Sequence, residues 1–273
     1  MPNNNIDQRV NLEITNGVAH VQLNRSDKCN ALDILMFHAI RKTINRLKKD
    51  RTIRAVIVTG NGEDFCSGLD IKAVMSSTKG PLELLFKLLP WRANLAQYVS
   101  TGWRDIPAPV IMVLKGRCWG GGLQIALGGD FRISTPDASI SIMESRWGLI
   151  PDMGGTLALK ELLSLDKAKE LAMTGEVIEG SQALQYGLVT HVDEDPYQRA
   201  VKLAEMISQQ SPDSVAATKK LYNKSWWSKP GFALLRESYY QIKILIGKNR
   251  AIKTYNQINQ DKKAREFINR KNW

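Results

Sequence analysis

Two short runs without a polar residue, Ala55-Val56-Ile57-Val58 and Val110-Ile111-Met112-Val113-Leu114, constrain the fold of this chain more than any other feature. A strand with one face in water alternates apolar and polar residues, whereas a continuous apolar run is a strand covered on both faces. Helical patterns lie around both runs, and strands buried between helices indicate an α/β fold. Upstream, Val10, Leu12 and Ile14 alternate with polar residues, and Val18 to Leu23 forms a second run beyond Asn16-Gly17. That pair suits a type I′ turn, so residues 10–23 read as a hairpin. Residues 33–49 read as an amphipathic helix with Phe37, Ile40, Ile44 and Leu47 on its buried face. A further helix is expected around Leu82–Val99, its apolar residues lining a channel or, the preferred reading, the core. Strand signals stop near residue 196. The reading is therefore a core over 1–200 and a C-terminal helical region over 201–273.

At 273 residues there is material for one large core with a helical appendage. The net charge of +11 favours anionic partners, among which nucleic acid, a membrane surface and a phosphorylated small molecule all qualify. Cys29, Cys66 and Cys118 form no evenly spaced framework, which suits a reducing compartment. His20, His38 and His191 form no ligand-like pair, and no metal is expected. The N-terminus MPNNNIDQRV shows no secretory pattern, and no apolar stretch is long enough to span a membrane. A cytoplasmic location is the expectation.

Each buried strand leads into a glycine-containing turn: Phe65-Cys66-Ser67-Gly68-Leu69-Asp70-Ile71-Lys72, and Gly116-Arg117-Cys118-Trp119-Gly120-Gly121-Gly122-Leu123-Gln124. Such turns serve as simple tight turns, as phosphate cradles, or as oxyanion holes whose backbone N–H groups meet a carbonyl oxygen gaining charge. The second turn lacks the terminal Lys-Ser/Thr of a P-loop. A third segment, Ser141 to Thr156, sets Glu144 and Asp152 among apolar residues and glycines. A carboxylate there is either a surface ion-pair member or a general base with a raised pKa. Asp152 can also be an N-cap for a helix opening at Met153-Gly154-Gly155-Thr156.

These three segments, in this order, resemble the crotonase superfamily, the enoyl-CoA hydratase/isomerase family. Leu23-Asn24-Arg25-Ser26-Asp27-Lys28-Cys29-Asn30-Ala31-Leu32 is similar to its coenzyme-contacting loop. Thr174-Gly175 with Ala183-Leu184-Gln185-Tyr186-Gly187-Leu188-Val189 is similar to the sequence closing its core. The similarity runs from about residue 9 to 210. It implies a spiral of ββα units, a C-terminal helical part used in trimerisation, and commonly a dimer of trimers. It also implies an acyl-CoA thioester substrate, with coenzyme A as part of the substrate and no separate cofactor. Residue by residue, the resemblance puts the backbone N–H groups of Leu69 and Gly121 at the oxyanion hole and gives Glu144 the place of a catalytic glutamate. The place of Asp152 resembles that of the extra acid of dienoyl-CoA isomerases and some enoyl-CoA isomerases. Lys28, Ala31, Ser67, Gly68, Asp70, Ile71, Gly120 and Gln124 fall where substrate is contacted.

One departure decides the expected chemistry. Hydratases of the family carry a second catalytic glutamate where this chain has Gln124, and an amide is neither acid nor base at neutral pH. Isomerisation of an enoyl-CoA double bond, with Glu144 as proton shuttle, is the leading expectation; hydration with Gln124 positioning water is the alternative. Two readings belong to other classes. Arg41, Lys42, Arg46, Lys48, Lys49, Arg51 and Arg54 form a basic cluster that raises RNA binding. The cluster lacks interleaved aromatics and reads as a solvated helix face, so no nucleic-acid partner is expected. A non-catalytic scaffold is the other, and the retained Glu144 and glycine turns argue against it.

Overall fold

The computed structural model describes residues 8–76 and 79–273. The chain opens as the expected hairpin, β1 (Val10–Thr15) and β2 (Val18–Leu23). Asn16 and Gly17 take φ of 52° and 78°, which is why this pair makes the turn. α1 (Ile34–Lys49) follows, capped by the Asp33 carboxylate, which accepts from the Met36 N–H. Its face of Phe37, Ile40, Ile44 and Leu47 is fully buried. β3 (Ala55–Gly60) then runs parallel to β2.

After α2 (Ile71–Met75), the long connection differs from expectation. It holds two short helices, α3 (Lys79–Leu85) and α4 (Leu95–Thr101), rather than one helix over 82–99. Pro90 cannot donate the N–H that a continuous helix needs, and Asn94 restarts the helix through a reciprocal capping box with Gln97. Leu84, Leu95, Ala96 and Val99 line the core. Leu88 and Trp91 do not: they are 85% and 80% exposed.

From there the chain climbs in repeated turns. β4 (Val110–Leu114), β5 (Arg117–Trp119) and α5 (Gly121–Leu127) form one turn. β6 (Phe131–Ser134), β7 (Ser139–Ser141), α6 (Gly155–Leu162) and α7 (Leu165–Thr174) form the next. β8 (Val177–Glu179), α8 (Gly180–Tyr186) and β9 (His191–Val192) close it. In each turn the first strand joins a six-stranded sheet ordered β1-β2-β3-β4-β6-β9, while β5, β7 and β8 build a second, three-stranded sheet. Cys66 extends that second sheet by an isolated parallel bridge to Cys118. This is the expected spiral.

Beyond residue 195 the chain is helical: α9 (Pro196–Ser208), α10 (Pro212–Ser225), α11 (Pro230–Leu245) and α12 (Lys248–Ile258). α9 crosses the expected 200/201 boundary, and its Ala200 and Ala204 pack on Ala55, Ile57, Ile111, Val113 and Ile133 of the sheet. α10 is held to the core by Lys219, whose ammonium donates to Asp130 (2.6 Å), Ala108 O (3.0 Å) and Trp103 O (3.1 Å). The last residues fold back. Asp213 accepts from Lys271 N and Trp273 Nε1, and Arg270 exchanges hydrogen bonds with Asp50 O and Arg51. Much of the basic cluster is spent inside the chain: Lys48 pairs with Asp105, and Arg51 and Arg54 donate to the carbonyls of Arg270 and Ile268. Phe232, Leu234, Leu235, Ile242 and Leu245 leave α11 with exposed apolar side chains. Among the described residues no helix is long and apolar enough to cross a membrane.

Candidate active site

The site is built where the two sheets meet. Phe65 and Cys66 pair with β5 through Phe65 N to Lys115 O, Cys66 N to Arg117 O, and Trp119 N to Cys66 O, so the two glycine turns leave the second sheet side by side. Their contact is close enough to require glycine. Gly68 sits at φ +93°, and a β-carbon there would lie 2.9 Å from Trp119 O and 3.5 Å from Gly121 N. The backbone around Leu69 is held by Leu32, whose N–H donates to Gly68 O and whose carbonyl accepts from Asp70 N. Gly120, at φ +49°, donates to Ser141 O and turns the chain into α5. Among the described residues the N–H groups of Leu69 and Gly121 have no protein acceptor, Gly121 being the first residue of α5, where helix donors lack partners. They lie on adjoining turns and are available to an outside oxygen.

Glu144 follows β7 in a short 3₁₀ turn, Glu144–Trp147. Pairing of β7 with β5 sets its carboxylate against Gly120, where a β-carbon would lie 3.5 Å from Oε1. The residue is 9% exposed. Burial pushes its carboxyl above the ordinary glutamate range, a hydrogen bond from Gln124 partly offsets this, and the negative charge of Asp152 pushes it up further. Oε1 accepts from Gln124 Nε2 at 2.5 Å, and Oε2 is buried with no partner among the described residues. A carboxylate with a raised pKa and one uncommitted oxygen, beside two free backbone donors, can accept and return a proton.

Gln124 does more than sequence suggests. Its Oε1 accepts from both Met153 N (2.9 Å) and Gly155 N (3.0 Å), so it serves the donors that open α6. The N-cap of α6 is Gly154, without a side-chain hydrogen bond, and Asp152 therefore does not cap this helix. Asp152 is an exposed residue of the same loop whose carboxyl is raised by partial desolvation.

The outer residues divide. Lys28 is exposed at the end of the 3₁₀ turn Ser26–Lys28. Ile71 opens α2, and Ser67 N donates to Cys29 O. Asp70 has both oxygens engaged, with Ala73 N (3.0 Å) and with Arg25 Nη1 (2.8 Å). Against the upward push of burial, the Ala73 N–H, Arg25 and Lys28 hold its carboxyl below the usual range. It anchors the Leu69 turn. Arg25 also donates to Ala31 O at 3.0 Å, tying the loop of residues 23–32 to that turn. Arg25 and the fully buried Asn30 carry this scaffold, and neither was singled out from the sequence. Asn30 Oδ1 accepts from Arg25 N, and its amide donates to Asn61 O and Asp64 O. The signal was an asparagine beside a turn; at φ +54° it occupies a conformation asparagine tolerates well.

Two large clefts lie elsewhere. One, of about 880 Å³, runs along the hairpin and past Tyr197; the other, of about 870 Å³, lies between α4, α6 and α10. Trp147, Leu149 and Ile150, which follow Glu144, have exposed side chains.

Comparison with known proteins agrees with this geometry. Residues 13–235 match the family model described as Enoyl-CoA hydratase/isomerase. (E)-Benzylidenesuccinyl-CoA hydratase of Thauera aromatica is 34% identical over 219 residues, covering 77% of this chain and 80% of that protein. Carnitinyl-CoA dehydratase of Proteus mirabilis is 30% identical over 226 residues, covering 80% and 81%. The crystal structure of enoyl-CoA hydratase from Bacillus anthracis superposes with a TM-score of 0.85 at 26% identity, covering 95% of this chain and 99% of that one. The family match runs from within β1 into α11, the stretch that builds the spiral and its paired glycine turns, and the chain belongs to the enoyl-CoA hydratase/isomerase family of the crotonase superfamily.

Proposed function

We propose that this enzyme isomerises the double bond of an enoyl-CoA thioester, with Glu144 as the single proton shuttle. Action on a coenzyme A thioester follows from the family. The finer reading rests on one observation: a buried glutamate with a free oxygen lies against the glycine turn that carries the Gly121 donor, and its hydrogen-bonded neighbour at 124 is an amide rather than a second carboxylate. In the proposed reaction, Glu144 takes a proton from the carbon next to the thioester carbonyl of a 3-enoyl-CoA. The electron pair moves into a dienolate, whose oxygen gains charge between the Leu69 and Gly121 N–H groups. Each such donor contributes on the order of 3 kcal/mol. Glu144 then returns the proton to the far carbon, giving a 2-enoyl-CoA. The step balances with coenzyme A as part of the substrate and no separate cofactor. Burial raises the carboxyl of Glu144, and the charge of the exposed Asp152 adds to this to a smaller extent.

Hydration of a 2-enoyl-CoA is the second reading, favoured by the names of the relatives, a hydratase and a dehydratase. The test is a panel of 2-enoyl, 3-enoyl and dienoyl-CoA thioesters followed for both reactions, on wild type and on Glu144→Gln. Isomerisation by wild type, lowered about 100-fold or more in the variant with thioester binding retained, is the expected result. Efficient hydration by wild type without isomerisation would give the second reading. Full activity of Glu144→Gln on every substrate would remove the shuttle altogether. The exposed apolar side chains of α11 support assembly with further copies of the chain, as a trimer or a dimer of trimers, and a monomeric mass in solution would exclude both.

A further inference from the structure

We infer that Gln124 is a positioning residue that holds Glu144 as a one-oxygen proton shuttle and excludes the attacking water of a hydration reaction. The inference rests on the reading of Glu144 as the base. Its evidence is the hydrogen bonding of one buried amide, 3% exposed, which fixes its own orientation. Two backbone donors, Met153 N and Gly155 N, converge on one end, and only oxygen can accept from both. A carboxylate oxygen, Glu144 Oε1, faces the other end at 2.5 Å, and only the NH₂ group can donate to it. Turning the amide over would set donor against donor and oxygen against carboxylate.

Three consequences follow. Both acceptor lone pairs of Gln124 Oε1 are occupied, so the amide has no acceptor with which to orient a nucleophilic water. Glu144 Oε1 is occupied as well, which leaves the partnerless Oε2 as the atom that takes and returns the proton. The donated N–H also favours the charged form of Glu144 over the neutral one. It opposes the effect of burial, so the base retains its ionised form at lower pH than it otherwise would. A glutamate at 124 could keep the two backbone donors on one oxygen. Its other oxygen would meet Glu144 Oε1 at contact distance, and the pair would then have to share a proton.

The variants are Gln124→Met, which deletes the NH₂ donor and the acceptor oxygen, and Gln124→Glu, which keeps an acceptor oxygen for Met153 N and Gly155 N and replaces the donor by a second carboxylate oxygen. The readout is titration of the Glu144 carboxyl in ¹³C-glutamate-labelled protein by NMR, assigned with Glu144→Gln and measured without substrate. This readout is independent of which thioester reaction the enzyme catalyses, so a failure of the isomerase reading is seen separately in the substrate panel. Expected is an upward move of the Glu144 midpoint in both variants. The pH profile of turnover by Gln124→Met should follow, with a loss of about tenfold or more at pH values below its own midpoint that narrows as pH rises. Gln124→Glu should gain hydration of a 2-enoyl-CoA relative to isomerisation. An unchanged Glu144 midpoint in both folded variants overturns the inference, as does a loss of turnover equal at all pH values, which would leave Gln124 a structural bridge only. If Gln124→Met does not fold, Gln124→Glu, which retains the bonds to Met153 and Gly155, carries the test alone.

Discussion

Gly122→Ala is the sharpest perturbation of the paired turns, because the new methyl group would meet backbone of the opposite turn. Gly122 lies in the first turn of α5 with helical backbone, where alanine is the better helix former by about 1 kcal/mol. Any penalty is therefore steric. The added carbon would stand 2.4 Å from Cys66 O, 2.8 Å from Cys66 Cβ and 3.0 Å from Cys66 Sγ. Restoring even a 3.0 Å separation from that carbonyl requires the turns to part by about 0.6 Å. The carbonyl cannot swing away alone, since it accepts from Trp119 N and lies three residues before Leu69. Overpacking of this kind costs about 1–3 kcal/mol of stability. A displacement of that size takes a donor out of its range of about 2.7–3.1 Å, and loss of one oxyanion donor lowers kcat by about 100-fold or more. Gly121→Ala is the control. Its methyl would meet Met153 Sδ at 2.8 Å and Leu32 Cδ1 at 3.1 Å, both ends of side chains that can move, so a loss under about tenfold is expected. Steady-state kinetics on the thioester that wild type turns over, with denaturant unfolding of each variant, measures both quantities. A folded Gly122→Ala enzyme with kcat within about threefold of wild type, or a Gly121→Ala enzyme damaged more severely, refutes the reasoning.

Three other outcomes follow from the same structure. Asp152→Asn removes a negative charge that raises the Glu144 pKa, so the acidic limb of the rate profile should move to lower pH; because Asp152 is not the cap of α6, the melting temperature should stay put. Leu69→Pro should abolish turnover while Leu69→Val largely spares it, since the proposed mechanism uses only the N–H; a severe loss in a folded valine variant would point to the side chain instead. Lys219→Met leaves Asp130 largely buried without its ammonium partner, which costs about 3 kcal/mol and lowers the melting temperature by on the order of 10 °C. Calorimetry showing no change there would mean that α10 is held to the core by its apolar contacts alone.

The sequence by itself determined what depends on near neighbours. Asn16-Gly17 makes its turn because both residues accept positive φ, and Val56 and Ile111 are covered on both faces because no polar residue interrupts their runs. The order of glycine turns and acidic loop carried the family resemblance, and Gln124 in place of a glutamate was visible in one residue. The break at residues 86–94 is legible too, in Pro90 and Asn94. Other features were decided only when the chain closed on itself. Whether Glu144 is in water or buried depends on β7 lying against β5, and whether a glutamine orients water or bridges a carboxylate to a helix depends on where residues 153–155 return. That the Asp70 carboxylate is held by Arg25, 45 residues earlier, depends likewise on the closed chain. Local conformational preference is set by residues a few positions apart. The protonation and hydrogen bonding of a buried group are set by whichever distant segments remove water from it, and that is a property of tertiary structure alone.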